Sequence, residues 1–153
     1  MQRTKQAIFM LGDEEYGFDI MDVNIIEKVV PVEPVAALPK NIKGIIRLRG
    51  EVIPVYSLRR KFGMEEVETG LDSRFILTTS NGIPTAYEVD QMKEIVQFEQ
   101  DQIFEVPMIF EGKDTSYMKA VTNHQERLVI IMNHDGILTE EEQLKMKELI
   151  KKG

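Results

Sequence analysis

The stretch Gly44-Ile-Ile-Arg-Leu-Arg-Gly-Glu-Val-Ile-Pro-Val-Tyr-Ser-Leu-Arg-Arg-Lys-Phe-Gly63 decides the fold class. It reads as a tight β-hairpin that runs into one or two helical turns. Gly50-Glu51 suits the centre of a glycine-first hairpin turn, where only glycine takes the backbone angles without strain. That register sets Arg49 opposite Val52, Leu48 opposite Ile53, Arg47 opposite Pro54 and Ile46 opposite Val55. Ile46, Leu48, Ile53 and Val55 then share one face, and Arg47, Arg49, Val52 and Pro54 the other. A slip of one residue would scramble this sorting, so the register is well specified. Pro54 has no ladder donor and predicts an edge or the end of a strand. Leu58 and Phe62 lie four apart on one helical face, and Gly63 suits a left-handed helix stop.

Outward from the hairpin, short strands alternate with turn signals. Ile8 to Leu11 has apolar residues on both faces, Gly12-Asp13-Glu14-Glu15 is a turn, and Tyr16, Phe18 and Ile20 alternate with Gly17 and Asp19. Asp22 to Val30 is ambiguous between a short helix and a strand. Pro31, Pro34 and Pro39 mark an irregular crossing. Beyond an acidic connector at 65–72, Asn81-Gly82 is a strong hairpin signal. A further hairpin is predicted from 117–122 and 127–132. Nine or ten short strands with turns every eight to twelve residues imply a mainly β protein of barrels or a sandwich. The connector divides it into approximate lobes, 1–64 and 73–138. A C-terminal helix over 139–151 has Thr139 and Glu142 at capping-box spacing, glutamates in its first turn and lysines in its later ones. Leu144, Met146, Leu149 and Ile150 form its narrow apolar stripe.

Composition narrows the function. The chain has no cysteine, which excludes disulfides, thiolate metal sites and cysteine nucleophiles. No apolar run is long enough for a membrane span, so no direct membrane insertion is expected and a cytoplasmic location is. Net charge is −7, yet the stretch 43–61 carries six basic residues against the single acid Glu51. A basic patch on an acidic body suits an acidic protein partner better than nucleic acid. His124 and His134 are the only histidines and read as turn residues. No nucleophile, phosphate-cradling glycine loop or dinucleotide fingerprint is present. The expectation is a binding module that is not an enzyme and uses no metal or cofactor.

The string Arg47-Leu48-Arg49-Gly50, then Pro54-Val55, Leu58-Arg59 and Phe62-Gly63, resembles the CheW family of bacterial chemotaxis coupling proteins. Glu15 to Ile20 is similar to that family's first hairpin. Val89-Asp90-x-Met92-x-Glu94-Ile95 resembles its Val-Asp-x-Val-x-Glu-Val step, and Leu128 to Met132 its last strand. The resemblance implies two five-stranded SH3-like β-barrels packed together, with short helical turns and the C-terminal helix. It implies a non-enzymatic scaffold linking the cytoplasmic tips of methyl-accepting chemoreceptors to the regulatory domain of the histidine kinase CheA. The competing reading is a small β-barrel that binds nucleic acid through the basic hairpin 43–61.

The resemblance places Arg49 on a nearly fixed arginine, expected at the receptor- or kinase-facing surface, with Gly50, Pro54 and Gly63 as structural turn positions. Three residues depart from the family pattern: Arg47 where Asn is usual, Ser57 where Asp is usual, and Ile25 where Glu is usual. Ile25 cannot pair with the hairpin arginine. Glu27 lies on the same face one pleat further along an extended strand. It is expected to pair with Arg49 in place of the lost carboxylate. Ile25 is then expected to add an apolar contact for the partner. The expected partner-binding set is Arg49, Arg47, Ile25, Glu27 and Val52.

Overall fold

The computed structural model describes residues 3–108 and 114–152. Ten strands are described: β1 (Arg3–Leu11), β2 (Glu14–Asp19), β3 (Val23–Lys28), β4 (Ile42–Leu48), β5 (Glu51–Ser57), β6 (Arg74–Ser80), β7 (Ile83–Val89), β8 (Gln91–Glu99), β9 (Met118–His124) and β10 (Arg127–Met132). Two α-helices accompany them, α1 (Leu58–Lys61) and α2 (Glu140–Lys152). The strands form two five-stranded sheets, ordered β8-β1-β2-β10-β9 and β3-β6-β7-β5-β4. Each sheet curls into a small barrel. The chain after each edge strand bridges the far edge of the same sheet, Glu33 to Ile45 in one and Phe104 to Val121 in the other.

The acidic connector does not separate the barrels, so the lobes 1–64 and 73–138 need correction. β1, β2 and β8–β10 build the first barrel, and β3–β7 the second. Each half of the chain gives one barrel a hairpin, then crosses to supply the other barrel with an edge strand and a second hairpin. The halves match pair for pair. Leu11 faces Glu14 as Ser80 faces Ile83, Ile25 faces Leu77 as Glu94 faces Ile8, and Leu48 faces Glu51 as His124 faces Arg127. The halves share a rhythm of turns without a convincing sequence repeat, and pairing between distant strands leaves no local mark.

The central hairpin also needs correction. Arg47 faces Val52, Leu48 faces Glu51, Ile46 faces Ile53 and Ile45 faces Pro54. The turn centre is therefore Arg49-Gly50, with φ of 50° and 81°. Two successive left-handed residues match the twist of the flanking strands. The cost is strain at Arg49, on the order of 1 kcal/mol for a non-glycine residue. The face sorting survives, because Ile46, Leu48, Ile53 and Val55 still share a side. They pack with Phe75, Leu77 and Ala86 inside the second barrel.

Pro54 lies just before the ladder to β7, which begins at Val55, so one side of it has no strand partner. Gly63 has φ of 71° and ends α1. Ser57 caps that helix by accepting from the Arg60 amide, which is the service an Asp at this position would also give. The ambiguous segment resolves into a 3-10 turn over Ile20–Asp22 followed by β3, so no α-helix forms there. Gly44 is required by a close approach, since a Cβ there would stand 2.1 Å from the Glu33 carbonyl oxygen.

The largest apolar cluster spans both barrels. Phe9, Tyr16, Phe18, Tyr56 and Tyr87 are buried in it. Phe62, the C-cap of α1, stacks on Tyr16 at 5.3 Å between ring centres. α2 docks through Met146 and Leu149, whereas Leu144 from the predicted stripe is 66% exposed. Its place against the body is taken by Glu142, which is 4% exposed. Both Glu142 carboxylate oxygens accept from the Tyr56 hydroxyl, at 2.9 and 3.0 Å. Asn41 and the Thr139 amide add 3.0 and 2.9 Å bonds to the same carboxylate. Burial and the Glu142 charge both push the Tyr56 hydroxyl far above the usual tyrosine range, so it remains a donor.

Candidate functional site: the hairpin tip and its edge strand

The β4–β5 tip and strand β3 meet at one end of the second barrel. Curling the sheet brings its edges together, and the Arg49 guanidinium reaches the Glu27 carboxylate at 2.7 Å. The pairing expected from the alternation of β3 is therefore present. The Arg49 side chain remains 64% exposed, so the pair orients the guanidinium and adds at most about 1 kcal/mol of stability. Ile25 and Leu48 are half-buried and pack on the barrel's apolar interior. Ile25, Leu48, Ile53 and Leu77, with Arg49 and Glu51 at the rim, line a recess of about 170 Å³.

Two predicted residues lie elsewhere. Arg47 is exposed and bonds Glu33 at 3.1 Å on the crossing segment. Val52 does not face Arg49 as the predicted register had it. It pairs with Arg47 and packs on the core between the barrels, on the opposite face from Leu48. Arg49, Glu27 and Ile25 thus form one group, and Arg47 and Val52 another. Glu33 was missed because it sits in a proline-rich crossing with no strand periodicity.

The matched halves explain Ile25. Its counterpart is Glu94, which bonds His124 at 3.1 Å, and His124 is the counterpart of Leu48. The same edge-to-hairpin contact is polar in the first barrel and apolar in the second. With Leu48 across from it, a carboxylate at position 25 would lack its donor there, while Glu27 further along the strand reaches the arginine.

The remaining cations of the basic stretch are also paired. Lys43 bonds Glu88 at 2.6 Å, Arg60 bonds Glu66, and Lys61 lies 3.6 Å from Asp114. Arg59 makes two bonds to Asp90, at 3.0 and 2.5 Å. Burial opposes ionisation of Asp90, but Arg59 and the Gly12 amide outweigh it and hold the carboxyl below the usual range. The positive charge of 43–61 is thus neutralised locally, and that stretch offers no free cationic track for a phosphate backbone. Among the described residues no group of three or more His, Asp and Glu is arranged to hold a metal ion. No described helix is long and apolar enough to cross a membrane.

Residues 6–142 match the family model for the CheW-like domain. This chain belongs to the CheW family. A chemotaxis protein CheW from Helicobacter pylori is 30% identical over 131 residues, spanning 85% of this chain and 78% of that protein. The chemotaxis protein CheW of Treponema pallidum is 27% identical over 152 residues, or 97% of this chain and 89% of its relative. The crystal structure of the scaffolding protein TtCheW from Thermoanaerobacter tengcongensis superposes with a TM-score of 0.79 at 30% identity, covering 87% of this chain and 86% of that one. The CheW fold accounts for the two SH3-like barrels, and the Val-Asp step of the second half acquires a structural reason in the Arg59–Asp90 clamp.

Proposed function

We propose that this CheW-family chain is a cytoplasmic, non-enzymatic coupler. It links the cytoplasmic tips of methyl-accepting chemoreceptors to the regulatory domain of the histidine kinase CheA. The observation that carries the site assignment is the exposed Arg49 guanidinium. It is held in a strained turn and oriented by Glu27 beside the recess floored by Ile25 and Leu48. An oriented arginine next to an apolar recess is the composition of an interface anchor. The two barrels supply a rigid support, and catalysis belongs to the kinase.

Arg49→Glu is expected to weaken binding to receptor or kinase fragments by about 2 kcal/mol, roughly thirtyfold. Its unfolding free energy should stay within about 0.5 kcal/mol of the parent. A loss of stability with affinity intact would make Arg49 a structural residue. A double-mutant cycle on Glu27→Gln and Arg49→Gln, read in affinity, should be non-additive because Glu27 acts by orienting Arg49. Ile25→Glu should also weaken binding. Unchanged affinity in that variant would remove Ile25 from the interface.

A further inference from the structure

The two crossings between barrels are tied by matching parts. At the second crossing the passage residue Asp90 pairs with Arg59, which stands two residues beyond the end of β5. Asp90 also accepts from the Gly12 amide of the β1–β2 turn at 2.7 Å. At the first crossing the passage residue Asp22 pairs with His134, two residues beyond the end of β10, through Nδ1 at 3.2 Å. The turn held here is β6–β7, whose Asn81 amide donates to Asp135 at 2.7 Å. Gly12 and Asn81 are the corresponding first residues of their turns. The plan is shared, and the cation differs. Arg59 stays charged throughout the neutral range, whereas a histidine changes charge between about pH 5 and 8.

His134 is wedged between two carboxylates. Its Nδ1 faces Asp22, and its Nε2 faces Asp135 at 3.4 Å. The ring and the Asp22 side chain are only 24% and 26% exposed, so water replaces their bond poorly. An imidazolium donates from both nitrogens and holds both carboxylates. A neutral ring carries one N–H, so it keeps one bond and turns a lone pair toward the other carboxylate. Ordinary carboxylates stay ionised above about pH 4, so near neutrality the ring is the part that changes charge. The other neighbours do not titrate in that range. Asn81 is uncharged and also donates its side-chain amide to the Asp135 carbonyl at 3.0 Å. On β7, burial raises the Tyr87 hydroxyl above the usual tyrosine range, and the Asp135 charge adds to this.

We propose that His134 is a proton-dependent latch on the first crossing. The protonated ring completes a chain of bonds from the Asp22 passage through Asp135 to the β6–β7 turn. Loss of the proton as pH rises breaks that chain at one link. Asp22 directly precedes β3, so the latch fixes where that strand begins. β3 carries Ile25 and Glu27, and an open latch loosens the edge strand that orients Arg49. This last consequence rests on the partner-binding reading of the hairpin tip, whereas the latch itself does not. The Arg59–Asp90 crossing keeps its charges near neutrality and is the internal reference.

The test is NMR on the free full chain between about pH 5 and 8. The ring nitrogens of His134 read its charge. Hydrogen exchange of the Val23 amide, which donates to the Ile20 carbonyl at the end of the passage, reads the latch. Protection of that amide, corrected for intrinsic exchange, should fall about fivefold as the ring loses its proton, the scale of one partly exposed ion pair. His134→Arg copies the other crossing and should hold protection constant across the range. His134→Gln, with no charge to lose, should begin at the lower protection and stay there, which keeps the test decisive if the arginine does not fit. His124→Gln removes the other histidine and should leave the fall as in the parent. Constant Val23 protection while the His134 ring titrates, or a fall of the same size in His134→Arg or His134→Gln, would overturn the proposal. No partner is present, so this outcome is separate from that of the Arg49 affinity measurements.

Discussion

Asp90→Ala should lose about 3 kcal/mol in urea denaturation at neutral pH, far more than an ordinary surface change. Asp90 is the single residue between β7 and β8, where the chain passes from one barrel to the other. It accepts two bonds from Arg59 and one from the Gly12 amide at 2.7 Å, while its own amide donates to Met10 at 3.1 Å. Removing the carboxylate leaves the Arg59 guanidinium, only 15% exposed, without its counter-ion. The pH dependence has a defined sign. A carboxyl whose folded pKa is depressed stabilises the fold fully above its unfolded value of about 3.9, and that contribution fades as pH falls through the folded value. The difference between the parent and Asp90→Asn should therefore shrink on acidification below about pH 4. A constant difference across that range would assign the effect to geometry and not to charge.

Glu142→Ala should cost a similar amount, about 3 kcal/mol, by removing the acceptor of Tyr56, Asn41 and the Thr139 amide, the last being the side-chain half of the capping box of α2. Hydrogen exchange should localise the damage, with the amides of α2 losing protection well before those of β6 and β7. Tyr56→Phe should cost less, because Asn41 and the Thr139 amide still bond the carboxylate. If the two substitutions proved equal, the hydroxyl would be the dominant anchor and the cap a minor one. Uniform loss of protection across both barrels would show that the helix is not a separable unit.

Local chemistry was legible in the sequence. Thr139 and Glu142 gave the start of α2 because a cap is settled within four residues. Glu27 could be paired with Arg49 because strand alternation alone places it on the correct face. The turn centre was misplaced because the chain offers one glycine, and a left-handed arginine in front of it is not the residue that chemistry favours. Leu144 counted as core by periodicity, yet the body meets the helix at Glu142, whose donor Tyr56 is far away in sequence. The exchange of strands was hidden for the same reason. The interface role proposed for Arg49 is legible only through the family resemblance, since an exposed guanidinium in a turn has no signature of its own.

Exchange of strands between the halves also has a mechanical meaning. The chain changes barrels at two places, through the three residues Ile20–Asp22 and through Asp90 alone. Neither passage has slack, and a hinge requires a few residues free to absorb backbone rotation. Twisting one barrel against the other would shear both passages and the aromatic stack of Phe62 on Tyr16 at once. Displacement applied at the hairpin tip of one barrel is then passed to the other, as through a stiff lever. A cut in the connector at 65–72 would not release that lever, because each fragment would still be clasped by strands of the other in both barrels.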